Sequence, residues 1–420
     1  MIPLGWDEVV GLGVGELDGG GEIRRITSDS REAGPGDLFV ALNAGTQYVG
    51  DARSRGASTL VPDDQEAALA ALATLVRSKS GAQVVAVVGS AGKTTTKDIL
   101  GALCAPHAAT IWAERSLNNE IGLPLTVCRL EPETEILVTE MGMRGTGQIS
   151  ELCRIARPSL VVVPHIGPEH LELVGTVTQV AAANAEAIAA LPPGGTAVVP
   201  AASAELQPFL TRDDITIRRV RAEDVVRNGA TRFTVDGMQV ELELPFTQRH
   251  LALNTLAALH AYDALGLPLE RAHEGVANIR LSPWRGEEMP LPGGGFVVND
   301  AYNANPDSMR AALVHLAERA GERRKVAILG EMAELGEASH GYHRQVGELA
   351  AELDVEVVGV GEPARAYDPV AWVSSAAEVT TAAAEVIRPG DAVLVKASRA
   401  VGLEGIAEEI TNIARAWFPS

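Results

Sequence analysis

The apolar positions change character along the chain. Residues 1–80 hold short apolar stretches around Ile23–Ile26 and across Asp37–Leu42. The second follows Gly34-Pro35-Gly36-Asp37, a turn composition, and both predict short strands. From Gln83 the runs become continuous. Val84–Val88 is apolar throughout, as are Ile136-Leu137-Val138 and Leu160–Val163. Such runs mark strands buried on both faces. Helical stretches separate them, which predicts βαβ units and a parallel sheet. Arg232–Leu244 instead alternates around Val235-Asp236-Gly237-Met238, a hairpin signal. Another α/β block begins near Trp284, with strands predicted at Phe296–Val298, Val326–Leu329, Val355–Val360 and Ala392–Val395. The predicted class is α/β in three domains: a small N-terminal α/β domain (1–80), a central parallel-sheet domain (81–283) and a C-terminal Rossmann-like domain (284–420).

Length agrees with this division, since 420 residues exceed what one core usually organises. The formal net charge of −20 opposes binding to a polyphosphate backbone, so a nucleic-acid partner is not expected. No apolar run approaches the ~18 residues of a membrane span. The first residues lack the basic and apolar regions of a signal peptide, so a cytoplasmic location is expected. Cys104, Cys128 and Cys153 fit no zinc or CxxC spacing and read as buried apolar fillers.

Chemistry enters at Gly89-Ser90-Ala91-Gly92-Lys93-Thr94-Thr95, between the strand Val84–Val88 and a helical stretch, Thr96–Leu103. Glycines let the backbone curl so that N–H groups face a phosphate, and the helix start adds partial positive charge. Lys93 can reach the outer phosphates and Thr94 can ligate Mg²⁺. Gly89 and Gly92 are three apart, closer than the five of a general Walker loop. The bland alternative is a glycine-rich turn with an incidental lysine. The loop alone specifies a nucleotide and no reaction.

The neighbouring segments narrow the choice. Asn118-Asn119-Glu120-Ile121-Gly122-Leu123-Pro124, Thr139-Glu140-Met141-Gly142 and Glu169-His170-Leu171-Glu172 occur in that order. Asn299–Met309, Gly330–Gly336 and Val395–Arg399 follow. Together these resemble the Mur ligases, in particular the type that adds D-Ala-D-Ala, and the resemblance covers essentially the whole chain. The Asp-Asn-Pro-Arg motif of the type that adds diaminopimelate or lysine is missing. Asp29-Ser30-Arg31 and Leu38–Leu42 resemble a UDP-binding amino-terminal domain, which disfavours folylpolyglutamate synthetase.

The resemblance implies an ATP-dependent, Mg²⁺-requiring ligase that phosphorylates the terminal carboxylate of UDP-MurNAc-tripeptide. D-Ala-D-Ala then attacks the acyl phosphate. It also implies a monomer. Lys93, Glu140, His170 and Arg285 are the implied catalytic residues, with Thr94, Glu140 and His170 on the metal. Gly89 to Thr95 (Gly89, Ser90, Ala91, Gly92, Lys93, Thr94, Thr95), Asn118, Asn254 and Asp300 would hold the nucleotide. Ser30, Arg31, Asn119, Tyr302, Asn303 and Asn305 would hold the other substrates. Bland alternatives remain for three of these: a solvated strand-end carboxylate for Glu140, a backbone-capping histidine for His170, and a turn former for Asp300. His165 is expected to be structural.

Three departures stand out. Leu251 replaces a usual asparagine near Asn254, and 43–51 lacks the usual Asp-Gly-His-Asp-Phe run. Asn184 occupies the place, fourteen residues after His170, of a lysine that relatives carbamylate to hold a second metal. The expectation is that Asn184 offers the second metal its amide oxygen, alongside His170 and water. Glu186 is the alternative, which helical spacing disfavours. A nucleotide-binding scaffold or a small-metabolite kinase are the competing classes.

Overall fold

The turn at Gly34–Asp37 closes as its composition requires. Gly36 takes a φ of 84°, and the Asp37 carboxylate accepts the Gly34 N–H at 2.9 Å. The strand Asp37–Val40 follows, buried at every position. It pairs in parallel with Arg25–Thr27 and Ser58–Pro62, and Gly15–Asp18 closes the far edge antiparallel. The computed structural model describes residues 1–417.

The continuous apolar runs form the middle of a six-stranded sheet. Its order is Thr216–Val220, Thr196–Pro200, Leu160–Val162, Gln83–Val87, Ile136–Glu140, Thr110–Trp112. Every pairing in it is parallel. Gln83–Val87 lies between two partners at the centre of the sheet, and Val84–Val87 are buried throughout, as a parallel sheet covered on both faces requires. The predicted hairpin is present as Ala230–Val235 and Met238–Leu242, extended by Val225–Asn228 into a three-stranded antiparallel sheet. Asp236 and Gly237 turn with φ of 48° and 87°, the positive values a two-residue hairpin loop needs.

A second six-stranded sheet runs Glu287–Leu291, Gly295–Asn299, Ala392–Lys396, Lys325–Leu329, Val355–Val360, Ala371–Val373. The four predicted strands are its centre. The sequence did not disclose the two outer ones. Glu287–Leu291 is an antiparallel edge with two glutamates and a proline, and Ala371–Val373 is only three residues long. Apolar cores lie on both faces, one around Met309, Leu313 and Leu316, the other around Val297, Ile328 and Ile410.

The chain forms two compact units. The first holds Met1–Pro164, Ala182–Phe246 and Ala252–Arg280, and the second holds His165–Ala181, Thr247–Leu251 and the chain from Leu281 onward. His165–Ala181 joins the second unit through packing and backbone bonds. Leu171 packs on the core around Met309, and the Glu172 N–H donates to the Glu334 carbonyl at 3.0 Å. The three cysteines are buried and unbridged, and burial pushes each thiol up to about 12. Among the described residues no helix is long and apolar enough to cross a membrane.

His343 ties a helix of the second unit to the Gly330–Gly336 segment. It is fully buried, and its Nε2 accepts the Met332 N–H at 3.0 Å while Nδ1 lies 2.8 Å from the Ser339 carbonyl. The folded ring is therefore neutral, and burial lowers its pKa. The unfolded ring takes up a proton near its ordinary pKa of about 6.5. Between that value and the depressed folded one, the unfolded state binds more protons. The contribution is thus complete above about pH 6.5 and is lost as pH falls. Thermal unfolding followed from pH 7.5 to 5 should show this loss. A His343→Gln variant should begin lower and lose less over the same range. Equal losses in both proteins would contradict this role.

Candidate active site

The strand Gln83–Val87 feeds a loop that only glycines could build. Gly89 and Gly92 hold φ of 119° and 80°, and a Cβ on Gly92 would lie 2.6 Å from Asn254 Oδ1. The helix starts at Lys93 and runs to Cys104, a turn earlier than its apolar pattern indicated. Lys93-Thr94-Thr95 is polar, so periodicity could not mark that first turn. Gly92, the N-cap, brings no capping side chain, and a helix start carries partial positive charge that suits an anion. Ser90, Thr94 and Thr95 are buried. The Lys93 ammonium donates to the Gly89 carbonyl within the loop.

Sheet register places Glu140 beside the loop entry. It pairs with Val87, and the Met141 N–H donates to the Val87 carbonyl at 2.9 Å. Asn118 Nδ2 donates to Glu140 Oε1 at 2.7 Å. Two residues earlier, Ser116 Oγ lies 3.0 Å from Thr94 Oγ1. Glu140 is 1% exposed, yet its Oε2 has no hydrogen-bond partner. That excludes the solvated strand-end alternative. A buried, donorless carboxylate oxygen suits a hard cation. Among the described residues no three His, Cys, Asp or Glu side chains cluster to hold a metal alone. Mg²⁺ fits such a site, because it binds through one or two carboxylates together with substrate phosphates.

The segment carrying Ser116 and Asn118 is fixed by Lys97, which the sequence reading missed. Lys97 has no exposed surface. Its ammonium donates to the carbonyls of Ala113 and Arg115 at 2.6 and 2.7 Å, and it pairs with Asp98 at 2.7 Å. Arg115 is held at a φ of 50°. The available signal was a lysine one turn into a helix that proves buried along its length.

Several expected site residues have local duties. Asn184 Oδ1 accepts the Gly89 N–H at 2.6 Å, so its oxygen points at the loop backbone. The Glu186 carboxylate accepts the Gly147 and Ser150 N–H groups at 2.6 and 3.0 Å, capping the helix Gln148–Ala156. Both residues expected at the second metal thus also serve backbone N–H groups of the first unit. Asn119 Oδ1 accepts the Gly122 N–H at 2.9 Å. In the first segment Ser30 is buried, while Arg31 clasps Asp29 at 2.5 Å and is exposed. The Arg31 hydrogen bond lowers Asp29 to about 2.

The second unit gathers the remaining candidates. His170, at a φ of 53°, sets its Nδ1 against the Glu334 carboxylate, and its Nε2 lies 3.5 Å from Glu169. Its side chain thus meets the Gly330–Gly336 segment. His165 pairs with Asp307 at 2.8 Å, in keeping with a structural role. Lys396, nearly buried, reaches Asp300 Oδ2 at 2.6 Å and the Asn303 carbonyl at 2.9 Å. The Arg285 guanidinium stacks 4.1 Å from the Tyr302 ring centre. Asn305 caps the helix Pro306–Ala320, with its Oδ1 accepting the Ser308 N–H at 2.9 Å.

A phosphate loop, an adjacent carboxylate and two largely parallel six-stranded sheets, one in each unit, fit a nucleotide-dependent enzyme of modular build. Residues 87–262 match the Mur ligase middle domain, and residues 284–399 match the Mur ligase glutamate ligase domain. The chain belongs to the Mur ligase family. It is 30% identical to UDP-N-acetylmuramoyl-tripeptide–D-alanyl-D-alanine ligase of Escherichia coli, over 98% of this chain and 99% of that one. The Mycobacterium tuberculosis enzyme of that name is 33% identical, over 92% of each chain. Among solved structures, MurF from Acinetobacter baumannii superposes with a TM-score of 0.86 at 27% identity, covering 98% of this chain and 99% of that one. MurF from Thermotoga maritima in complex with ADP gives 0.81 at 28% identity, covering 94% and 99%.

Lys97 yields a direct test. Lys97→Met removes the cation that two carbonyls and Asp98 share. Breaking one side of a buried pair costs roughly 3–5 kcal/mol. Denaturant unfolding should lose stability on that scale. A loss below about 1 kcal/mol, the worth of an exposed pair, would contradict it.

Proposed function

We propose that this chain joins D-alanyl-D-alanine to the terminal carboxylate of UDP-N-acetylmuramoyl-tripeptide, at the expense of ATP, in peptidoglycan synthesis. The observation that carries this reading is the end-to-end relationship to ligases of that name. The phosphate loop and the Glu140 carboxylate beside it agree with it.

A carboxylate is a poor electrophile, so it must first gain a leaving group. One carboxylate oxygen takes the outer phosphoryl of ATP, and ADP departs. The amine of D-Ala-D-Ala then attacks the acyl carbon. The carbon–oxygen bond to phosphate breaks, phosphate leaves, and the amine gives up its proton. The first step crowds anionic oxygens together, and fixed positive groups must meet them. The loop N–H groups from Gly89 to Thr95 and the start of the helix Lys93–Cys104 cradle the phosphates. Lys93 swings from the Gly89 carbonyl to the transferring group. Mg²⁺, when bound, supplies further neutralisation and would be held by Thr94, Glu140 and His170. Asn118 orients Glu140, and Glu334 orients His170.

Asp300, steadied by Lys396, is assigned to the ribose, and Asn254 with Asn118 to the nucleotide. Arg285, stacked on Tyr302, would meet the acyl phosphate. Ser30 and Arg31 are assigned to the UDP-precursor, and Asn119, Tyr302, Asn303 and Asn305 to the peptide substrates. In domain terms, 1–80 binds the UDP-precursor, 81–283 binds ATP and 284–420 completes the ligase. The chain works as a monomer in the cytoplasm.

Phosphate release measured with each substrate in turn tests this function. Release should require both the UDP-peptide and D-Ala-D-Ala. Release with neither would indicate an ATPase, and no release with both would indicate a binding protein or a kinase that uses another acceptor. Lys93→Ala should slow release by about 1,000-fold, with the unfolding midpoint close to that of the parent. Near-normal turnover in that variant would overturn the loop assignment.

A further inference from the structure

Gly89 is the first residue past the ladder of the central sheet. The Val88 N–H still donates to the Val162 carbonyl at 2.9 Å, but the Gly89 N–H turns away from the strands. It is met by Asn184 Oδ1 at 2.6 Å, from a residue 95 positions later in the chain. Both residues are buried, and Asn184 is only 1% exposed. Asn184 stands on the helix Val177–Ala189. The loop entry is therefore fixed by a side chain from another element.

We propose that Asn184 is a positioning residue of the phosphate loop. It holds the Gly89 peptide so that the following amides face the phosphates before any nucleotide arrives. Its chemistry suits the task. The amide oxygen accepts one N–H without bringing a negative charge near a polyphosphate. An aspartate would accept the same bond and add that charge. A lysine has no acceptor and would set its donors against a donor. Preorganisation of this kind strengthens nucleotide binding whether or not a metal is present.

This inference rests on reading Gly89–Thr95 as the phosphate cradle, and the test separates the two. ADP affinity would be measured on the full-length protein in EDTA and in Mg²⁺. Hydrogen exchange of the 88–92 backbone would be measured without ligand. Asn184→Ala should weaken metal-free ADP binding about ten-fold, the scale of one buried hydrogen bond lost. It should also speed exchange at Gly89 and change the half-saturating Mg²⁺ at saturating ADP by less than about two-fold, since no metal ligand is lost. Asn184→Asp keeps the acceptor, so its Gly89 amide should stay protected. The proposal is overturned if Asn184→Ala leaves metal-free affinity and exchange unchanged while raising the Mg²⁺ requirement, the result for a metal ligand. If the alanine variant does not fold, the aspartate variant decides: a protected Gly89 amide supports the proposal, and an unprotected one in a folded protein overturns it. If the parent binds no ADP, the cradle reading fails, while exchange at Gly89 still decides the role of Asn184.

Discussion

A carboxylate shut away from water needs partners on both oxygens, and Glu140 has a protein partner on one alone. Much of the first unit's site is arranged around that group. Parallel pairing with Val87 sets its depth at the end of the strand. Asn118 fixes its rotation, and Lys97 holds the Ala113–Arg115 backbone that leads to Asn118. The same segment carries Ser116 to Thr94, on the first turn of the loop helix. A fully buried lysine, one turn into the helix that follows the phosphate loop, thus secures the approach to an almost fully buried glutamate. The remaining oxygen is left for a cation that arrives with phosphate.

The parts of the fold that were legible in the sequence are those in which local pattern and tertiary burial agree. Val84–Val88 announced a central strand because a parallel sheet is covered on both faces, so its inner strands are apolar throughout. The Asp236-Gly237 hairpin was visible because positive φ restricts residue choice. Glu287–Leu291 and Ala371–Val373 were hidden because edge strands need no continuous apolar run and tolerate proline. The phosphate loop was legible because few residues other than glycine fit its turns. Its clamp was not, because no local pattern links Asn184 to Gly89 across 95 positions.

Polar residues proved harder to assign than apolar ones. Asparagine and glutamate near helix starts serve as caps for the same reason that they bind substrates: each presents an acceptor to a cluster of N–H groups. Asn119, Asn305 and Glu186 all do this work here. His170 and Asp300, in contrast, are oriented by charged partners from distant motifs, Glu334 and Lys396. Their motifs are therefore units of geometry as well as of chemistry. Glu334 and Lys396 lie in segments whose resemblance was clear and whose contacts were not.

The central claim is that the donorless oxygen of Glu140 is kept for a metal ion. Calorimetric titration of Mg²⁺ into protein saturated with ADP, for the parent and for Glu140→Gln, tests it most directly. The amide keeps the shape and removes the charge. The expected result is a loss of at least about ten-fold in Mg²⁺ affinity, with ADP affinity in EDTA unchanged, since a hard divalent cation depends on anionic oxygen. Equal Mg²⁺ affinity in the two proteins would contradict it.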